Sequence, residues 1–355
     1  MHVLFDAVAV RSGSAAIVVA HLIRGWREAF PDDRLTVLAG PDGPDFVPAE
    51  GVAVHRAVPP VGGPAGKVWL RSQAVRRAAR DLAVDAVISG VPASGLFGTS
   101  VPRGVILYDL RHELRPEQFS RKTRAARRLG WWWSIRRADG VYTISERTLD
   151  DFRDRHPRLA AKGVAAQLGS DHADAWPTVE RAEPPYALAF GHFGNKNAHA
   201  VIRAWQPFSA RHPEWTLRLV GMGGSDRAAA TQLVHELGLG DVVDLAPWLD
   251  DDAFASIFAA AGMVVFPSDF EGFGLPAAEA MRLGIPVVVS PDPALREVTG
   301  GRAVVAATVG ASDLAAAMEA ALAQGTEHLA EAQQFARGFT WARTARTVRG
   351  DLLGR

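Results

Sequence analysis

Phe266-Pro267-Ser268-Asp269-Phe270-Glu271-Gly272-Phe273-Gly274-Leu275-Pro276-Ala277-Ala278-Glu279-Ala280-Met281 is the stretch on which the reading of this chain turns. It follows an apolar run, bends through Gly272 and Gly274, and enters a helix with Pro276 at its start, where a missing N–H is harmless. A strand, a glycine turn and a helix in that order form a corner of a parallel α/β sheet. In such sheets ligands sit beyond the carboxyl ends of the strands, and the amides that open the next helix face an anion. Glu271 in the loop and Glu279 roughly one turn into the helix are spaced to grip two parts of one extended ligand. A lone Gly-x-Gly with a capping glutamate reads as an ordinary corner, whereas two glutamates bracketing Gly-Phe-Gly-Leu-Pro do not.

Outward from this corner, short apolar runs alternate with longer helical patterns, the signature of a parallel sheet covered on both faces. Strands are expected at 3–8, 35–38, 52–55, 86–89, 105–108 and 141–144, and again at 186–190, 215–220, 242–245, 263–266, 286–289 and 303–305. Between Gly169 and Tyr186 the alternation fails: Ser170-Asp171-His172-Ala173-Asp174 and Glu183-Pro184-Pro185 are polar and turn-forming without a period. The expected organisation is one Rossmann-like domain over 1–172, a linker over 173–185, and a second Rossmann-like domain over 186–336. A terminal helix within 337–355 packs back towards the first domain.

Length and composition agree with this. The 355 residues are about twice one usual domain, which allows two α/β domains or one large barrel, and the break near 170–185 favours two. Hydrophobic residues make up 48% and charged residues 22%, as in a globular protein rather than a disordered chain or a membrane bundle. Thirty-nine basic and thirty-nine acidic residues cancel, so the overall field that nucleic-acid binding needs is missing. The first 180 residues hold 25 basic and 20 acidic groups and the remainder 14 and 19, an imbalance too small to carry weight. The absence of cysteine excludes disulfide scaffolds, thiol nucleophiles, thiolate zinc sites and iron–sulfur clusters. Met1-His2-Val3-Leu4-Phe5-Asp6 lacks the pattern of a secretory signal, and the weakly polar run 253–267 is too short to span a bilayer, so a cytoplasmic protein is expected.

The corner segment resembles the signature of glycosyltransferase family 4, the retaining nucleotide-sugar transferases with the GT-B fold, two Rossmann-like domains facing across a cleft. Several other segments are similar to the family: Tyr186-Ala187-Leu188-Ala189-Phe190-Gly191-His192-Phe193-Gly194-Asn195-Lys196-Asn197, Leu217-Arg218-Leu219-Val220-Gly221-Met222-Gly223, Gly284-Ile285-Pro286-Val287-Val288-Val289-Ser290, Tyr108-Asp109-Leu110 with Pro116-Glu117, and Thr143-Ile144-Ser145-Glu146. The resemblance is strong over 186–306 and looser before. It implies transfer of a hexose with retention, usually described as front-face attack without an established enzyme nucleophile. Glu271 and Glu279 are then not the acid and nucleophile of a glycosidase.

Cleavage of a sugar–diphosphate bond leaves a nucleoside diphosphate with extra negative charge, and preorganised donors must meet that charge. The resemblance assigns Lys196 and the amides of Gly274 and Leu275 to this task. It assigns Glu279 to the ribose hydroxyls, Glu271 to the donor sugar, and the Gly272, Phe273 and Gly274 amides to sugar hydroxyls. His192 stands where many relatives carry an arginine, and serves as a cation only when protonated. Leu249 and Asp251 lie near the nucleobase by family position. An aspartate there accepts from guanine, which tilts the reading towards GDP-mannose, with a UDP-sugar next. Ser12 and Gly13, in Arg11-Ser12-Gly13-Ser14, match the loop that meets the diphosphate, although a plain glycine turn with a serine cap explains them nearly as well.

One departure concerns Tyr108-Asp109, because family members often carry histidine before that aspartate. Either Tyr108 or His112, one turn onward, takes its place, and Asp109 either orients hydroxyls or caps a helix. No metal and no other cofactor is expected: Asp250-Asp251-Asp252 reads as an N-cap followed by dipole-stabilising acids. The basic, tryptophan-rich segment 121–137 reads either as peripheral contact with the inner membrane surface, where a lipid-linked acceptor would lie, or as a surface helix packed through its tryptophans. The expected partners are a nucleotide sugar and a saccharide, lipid-linked or small-molecule acceptor, with no nucleic acid. The alternative is a non-catalytic sugar-nucleotide-binding subunit of another transferase, while the preserved signature disfavours an epimerase or a phosphorylase.

Overall fold

A computed structural model of the chain describes residues 1–41, 43, 50–192 and 194–354. It divides into two compact units, one made of residues 1–169 with 340–355 and the other of residues 170–339. Each is a parallel sheet of the Rossmann kind. Phe193, within the segment that resembles the opening of the second domain, lies outside the described residues.

The first unit holds strands β1 (His2–Ala7), β2 (Arg34–Ala39), β3 (Ala53–Arg56), β4 (Ala86–Ser89), β5 (Arg103–Leu107), β6 (Gly140–Thr143) and β7 (Gly163–Ala165). Their order across the sheet is β3-β2-β1-β4-β5-β6-β7. Every residue of β1, β4, β5 and β6 is buried, as expected for strands covered on both faces, and the edge strand β3 is exposed along its length. Six of these strands were legible as apolar runs. The seventh, β7, is a three-residue edge strand too short to show any period. Tyr108 and Ile144, read as strand ends, lie just beyond β5 and β6.

Glycine in two neighbouring strands makes room for one aromatic ring. A Cβ on Gly104 would lie 2.5 Å from the Tyr142 ring, and one on Gly140 2.4 Å from its hydroxyl. Tyr142 is thus fully buried, and its hydroxyl donates to Asp351 Oδ2 at 2.9 Å, on the terminal helix Trp341–Gly354. That helix lies along the helix Ser14–Ala29, with Trp341 stacked on His21 at 5.5 Å. Asp33 gathers the N-terminal ammonium, the Trp26 indole and Arg349 at 2.9–3.0 Å. These contacts bind the last residues of the chain into its first unit.

The second unit holds β8 (Tyr186–Phe190), β9 (Thr216–Val220), β10 (Val243–Leu245), β11 (Met263–Phe266), β12 (Val287–Val289) and β13 (Val304–Val305), in the order β10-β9-β8-β11-β12-β13. Its core is built on Trp205, Phe208, Leu217, Leu219, Met263 and Val265. Residues 173–185 fall inside this unit, which begins at Ser170. Asp171–Ala175 form a 3-10 turn, and Arg282 reaches it with two bonds of 2.6 Å to Asp174. The guanidinium holds the Asp174 carboxyl below the usual carboxylate range, chiefly by hydrogen bonding. Arg282 also donates to the carbonyls of Ala336 and Phe339, so one buried side chain stitches the start of the unit to its end.

The helix contact in the first unit is tested at Gly25. A Cβ there would stand 2.3 Å from the Trp341 carbonyl carbon. Gly25→Ala is expected to lower stability by about 1–3 kcal/mol through forced displacement of the terminal helix, read as a lower urea midpoint.

Candidate functional site

In the second unit the chain leaves β8 towards β9 on one side and leaves β11 towards β12 on the other, although β8 and β11 are paired neighbours. This is a topological switch point, where the loops after two adjacent strands diverge and open a crevice. The loop after β8 carries His192, Asn195, Lys196 and Asn197, and the loop after β11 carries residues 267–274.

The two loops are fastened to each other by amides. Asn195 Nδ2 donates to Ser268 Oγ at 2.8 Å and to the Phe270 carbonyl at 3.0 Å, and the Asp269 N–H returns to the Asn195 carbonyl at 3.0 Å. Asn197, in the left-handed region at φ 56°, donates to the Pro267 carbonyl at 2.8 Å. On this frame Lys196 Nζ donates to Glu271 Oε1 at 2.5 Å and sits 4.4 Å from the centre of the Phe266 ring. Both side chains are largely withdrawn from water, the lysine 9% and the glutamate 14% exposed.

Gly274 has φ 103° and caps the helix Leu275–Arg282. A Cβ at this position would meet Leu295 Cδ2 at 2.5 Å, so both the backbone angle and the packing demand glycine. No side chain caps this helix and no acid lies in its first turn, which leaves its N-terminus electropositive. Phe273 turns its ring inward onto Phe339 at 5.6 Å, while Gly272 beside it is part-exposed. Glu279 is buried, and its Oε1 lies 2.9 Å from His172 Nε2. Lys196, Glu271, Gly272, Phe273, Gly274, Leu275 and Glu279 thus share one end of one sheet.

His192 follows β8 and packs edge-on against Phe190 and against Trp248, at 6.4 and 5.9 Å between ring centres. Burial, with the charge of Lys196 second, lowers its pKa to about 4. It is therefore neutral at physiological pH and supplies no second cation. Leu249 and Asp251 flank Asp250, whose carboxylate accepts the Ala253 N–H at 2.8 Å as N-cap of the helix Asp251–Ala260. A cavity of about 350 Å³ is lined by Gly191, Gly194 and Asn197 of the loop after β8, with Met222 and Asp226 among others.

The remaining expected residues belong to the first unit, where β1 and β4 form its own switch point. Gly13 opens the helix Ser14–Ala29 at φ 106° with no side-chain cap, so Ser12 and Ser14 leave the helix end open. Tyr108 follows β5, and its hydroxyl lies 3.5 Å from the Ala15 carbonyl. Burial raises its pKa and keeps the phenol protonated. Asp109 accepts the Arg111 N–H at 2.8 Å and so starts the short helix Arg111–Leu114. His112 is 2% exposed, edge-on to Trp131 at 4.6 Å and lowered in pKa by burial.

Three residues were not singled out from sequence. His172 lies in a segment without period, Asn195 is one of several polar residues beside Lys196, and Trp248 is a single tryptophan after a proline. The last of these is 68% exposed, which the sequence does not show.

Residues 172–339 match the family model described as Glycosyl transferases group 1, and residues 15–164 match Glycosyltransferase Family 4. Among curated proteins, the chain is 45% identical over 69 residues to an MMP alpha-(1->4)-mannosyltransferase of Mycolicibacterium hassiacum, covering 19% of this chain and 17% of that protein. It is 34% identical over 140 residues to the O-antigen chain mannosyltransferase B of Escherichia coli, covering 38% and 36%. The aligned segments thus span less than half of either relative. Among solved structures, Anabaena HepE in complex with UDP-glucose superposes with a TM-score of 0.77 at 20% identity, covering 100% of both chains, and WaaG with 0.68 at 12%, covering 99% and 98%. The two units therefore have the folds of a GT-B protein.

The depressed pKa of His192 has a consequence for stability. The unfolded chain takes up a proton near the ordinary value of 6.5 and the folded chain near 4. The contribution is present above 6.5 and is lost as the pH falls towards 4. His192→Gln is expected to flatten the pH dependence of the urea midpoint in that window, by up to about 3 kcal/mol.

Proposed function

We propose that this chain, which belongs with the family 4-like glycosyltransferases, moves a hexose from a nucleotide sugar to a hydroxyl acceptor with retention of configuration. The observation that carries this reading is the convergence of Lys196, Glu271 and Glu279 at the β8/β11 switch point, around an uncapped helix N-terminus. As the bond between the anomeric carbon and the diphosphate breaks, charge grows on the phosphate oxygens. The Lys196 ammonium and the Leu275 end of the helix are the donors that stabilise it.

Lys196 is paired with Glu271 at 2.5 Å. An entering diphosphate competes for the ammonium and frees Glu271 to accept from the sugar hydroxyls. Glu279, buried and held by His172, accepts from the ribose. Gly272 lets the main chain approach the sugar ring. Leu249 and Asp251 border the base, and an aspartate acceptor there favours GDP-mannose, with UDP-sugars next. The mannosyltransferase names of two relatives support the first, and HepE in complex with UDP-glucose supports the second. In the first unit Ser12 and Gly13 meet the diphosphate, and Tyr108 and Asp109 orient hydroxyls. No metal takes part. The acceptor is a saccharide, lipid-linked or small-molecule hydroxyl. The enzyme works in the cytoplasm, and a lipid-linked acceptor would bring it to the inner face of the membrane.

A second reading, a sugar-nucleotide-binding subunit without turnover, draws on one feature. Tyr108 stands in the family's histidine position, and His112 is turned into the interior. Transfer or donor hydrolysis by the isolated protein discriminates: binding without turnover across several acceptors would favour the subunit.

Calorimetric titration of UDP and GDP tests the site. Lys196→Ala is expected to weaken diphosphate binding about 10–100-fold while sparing the free nucleoside, and Glu279→Ala to weaken both. Unchanged diphosphate affinity in Lys196→Ala would refute the phosphate assignment.

A further inference from the structure

The helix Arg121–Arg136 is sixteen residues long and buries little of its surface. Only Ser134 and Ile135 are withdrawn from water, and residues 121–126 are all exposed. From 118 through 138 there is no acid, while Arg121, Lys122, Arg124, Arg127, Arg128, Arg136 and Arg137 are all cations.

The inner side of this helix is accounted for. Trp131 meets His112, Arg127 lies over Phe119 and Trp131 at 4.9 and 5.6 Å, and Ser134 donates to the Ser94 carbonyl at 2.7 Å. The outer side is not. Lys122, Ala126, Leu129 and Trp133 recur at helical spacing on one stripe, with Leu129 69% and Trp133 36% exposed. Arg137 lies 4.8 Å from the Trp133 ring centre, at the end of the stripe. An exposed leucine and tryptophan set among cations, in a run of chain from 118 to 138 without a carboxylate, match the boundary of an anionic bilayer. There the ring and the aliphatic chain enter the headgroup layer and the cations meet phosphates. A nucleic acid would use the charge but not Leu129.

We propose that the outer stripe of helix Arg121–Arg136 is a docking surface for a bilayer rich in anionic phospholipid. Its evidence is independent of the nucleotide site. The full chain is sedimented with vesicles of phosphatidylcholine alone and of phosphatidylcholine mixed equally with phosphatidylglycerol. Binding to the mixed vesicles is expected to exceed binding to the neutral ones by at least about tenfold and to fall with added salt. Arg121→Glu, Arg124→Glu and Arg128→Glu combined are expected to remove about tenfold or more of it, with circular dichroism unchanged. Should that variant fail to fold, Leu129→Ser with Trp133→Ser decides through loss of the salt-resistant part. Equal binding to both vesicles, a folded variant that binds like the parent, or retention of an oligonucleotide without vesicle binding would overturn the proposal.

Discussion

The pairing of β8 with β11 is the constraint on which the candidate site depends. These strands are neighbours in the sheet but far apart in sequence, and each hands its chain to a different side. Right-handed crossovers running in opposite directions carry the two following helices to opposite faces, so the loops between them must separate. The amide of Asn195 then holds the loops in register, with bonds to Ser268 and Phe270. Lys196 comes next in sequence and so has its position fixed by that clamp.

The charges at this end of the sheet are arranged so that none is left buried alone. Lys196 is paired with Glu271, and Glu279 lies within hydrogen-bond distance of the His172 imidazole. Removing such groups from water is costly, and their retention so close together is better explained by ligand binding than by stability. His192 follows the opposite rule. Burial beside a lysine removes its charge, which leaves Lys196 as the cation of this loop.

Much of this was legible in the sequence, because parallel strands buried on both faces must be written as continuous apolar runs. The corner at 266–281 was legible for a similar reason: only glycine tolerates the φ of Gly274 and the 2.5 Å approach of Leu295. The strand β7 and the 3-10 turn at Asp171–Ala175 were not, since three residues at an edge and five in a turn have no period to read. His172 was missed for that reason. His112 was legible as a residue but not in its burial, which is set by Trp131 on a helix that follows rather than by its own neighbours in sequence.

By itself the sequence determined the fold class, the order of most strands along the chain and the identity of the corner that carries Glu271 and Glu279. These are set by local periodicity and backbone sterics. Only the tertiary structure decided which loops meet, that Lys196 pairs with Glu271 and Glu279 with His172, that His192 is neutral, and that Arg282 ties Asp174 to Ala336 and Phe339. Each of those depends on the order of strands across a sheet and on exclusion of water, and neither is a property of any short stretch of chain.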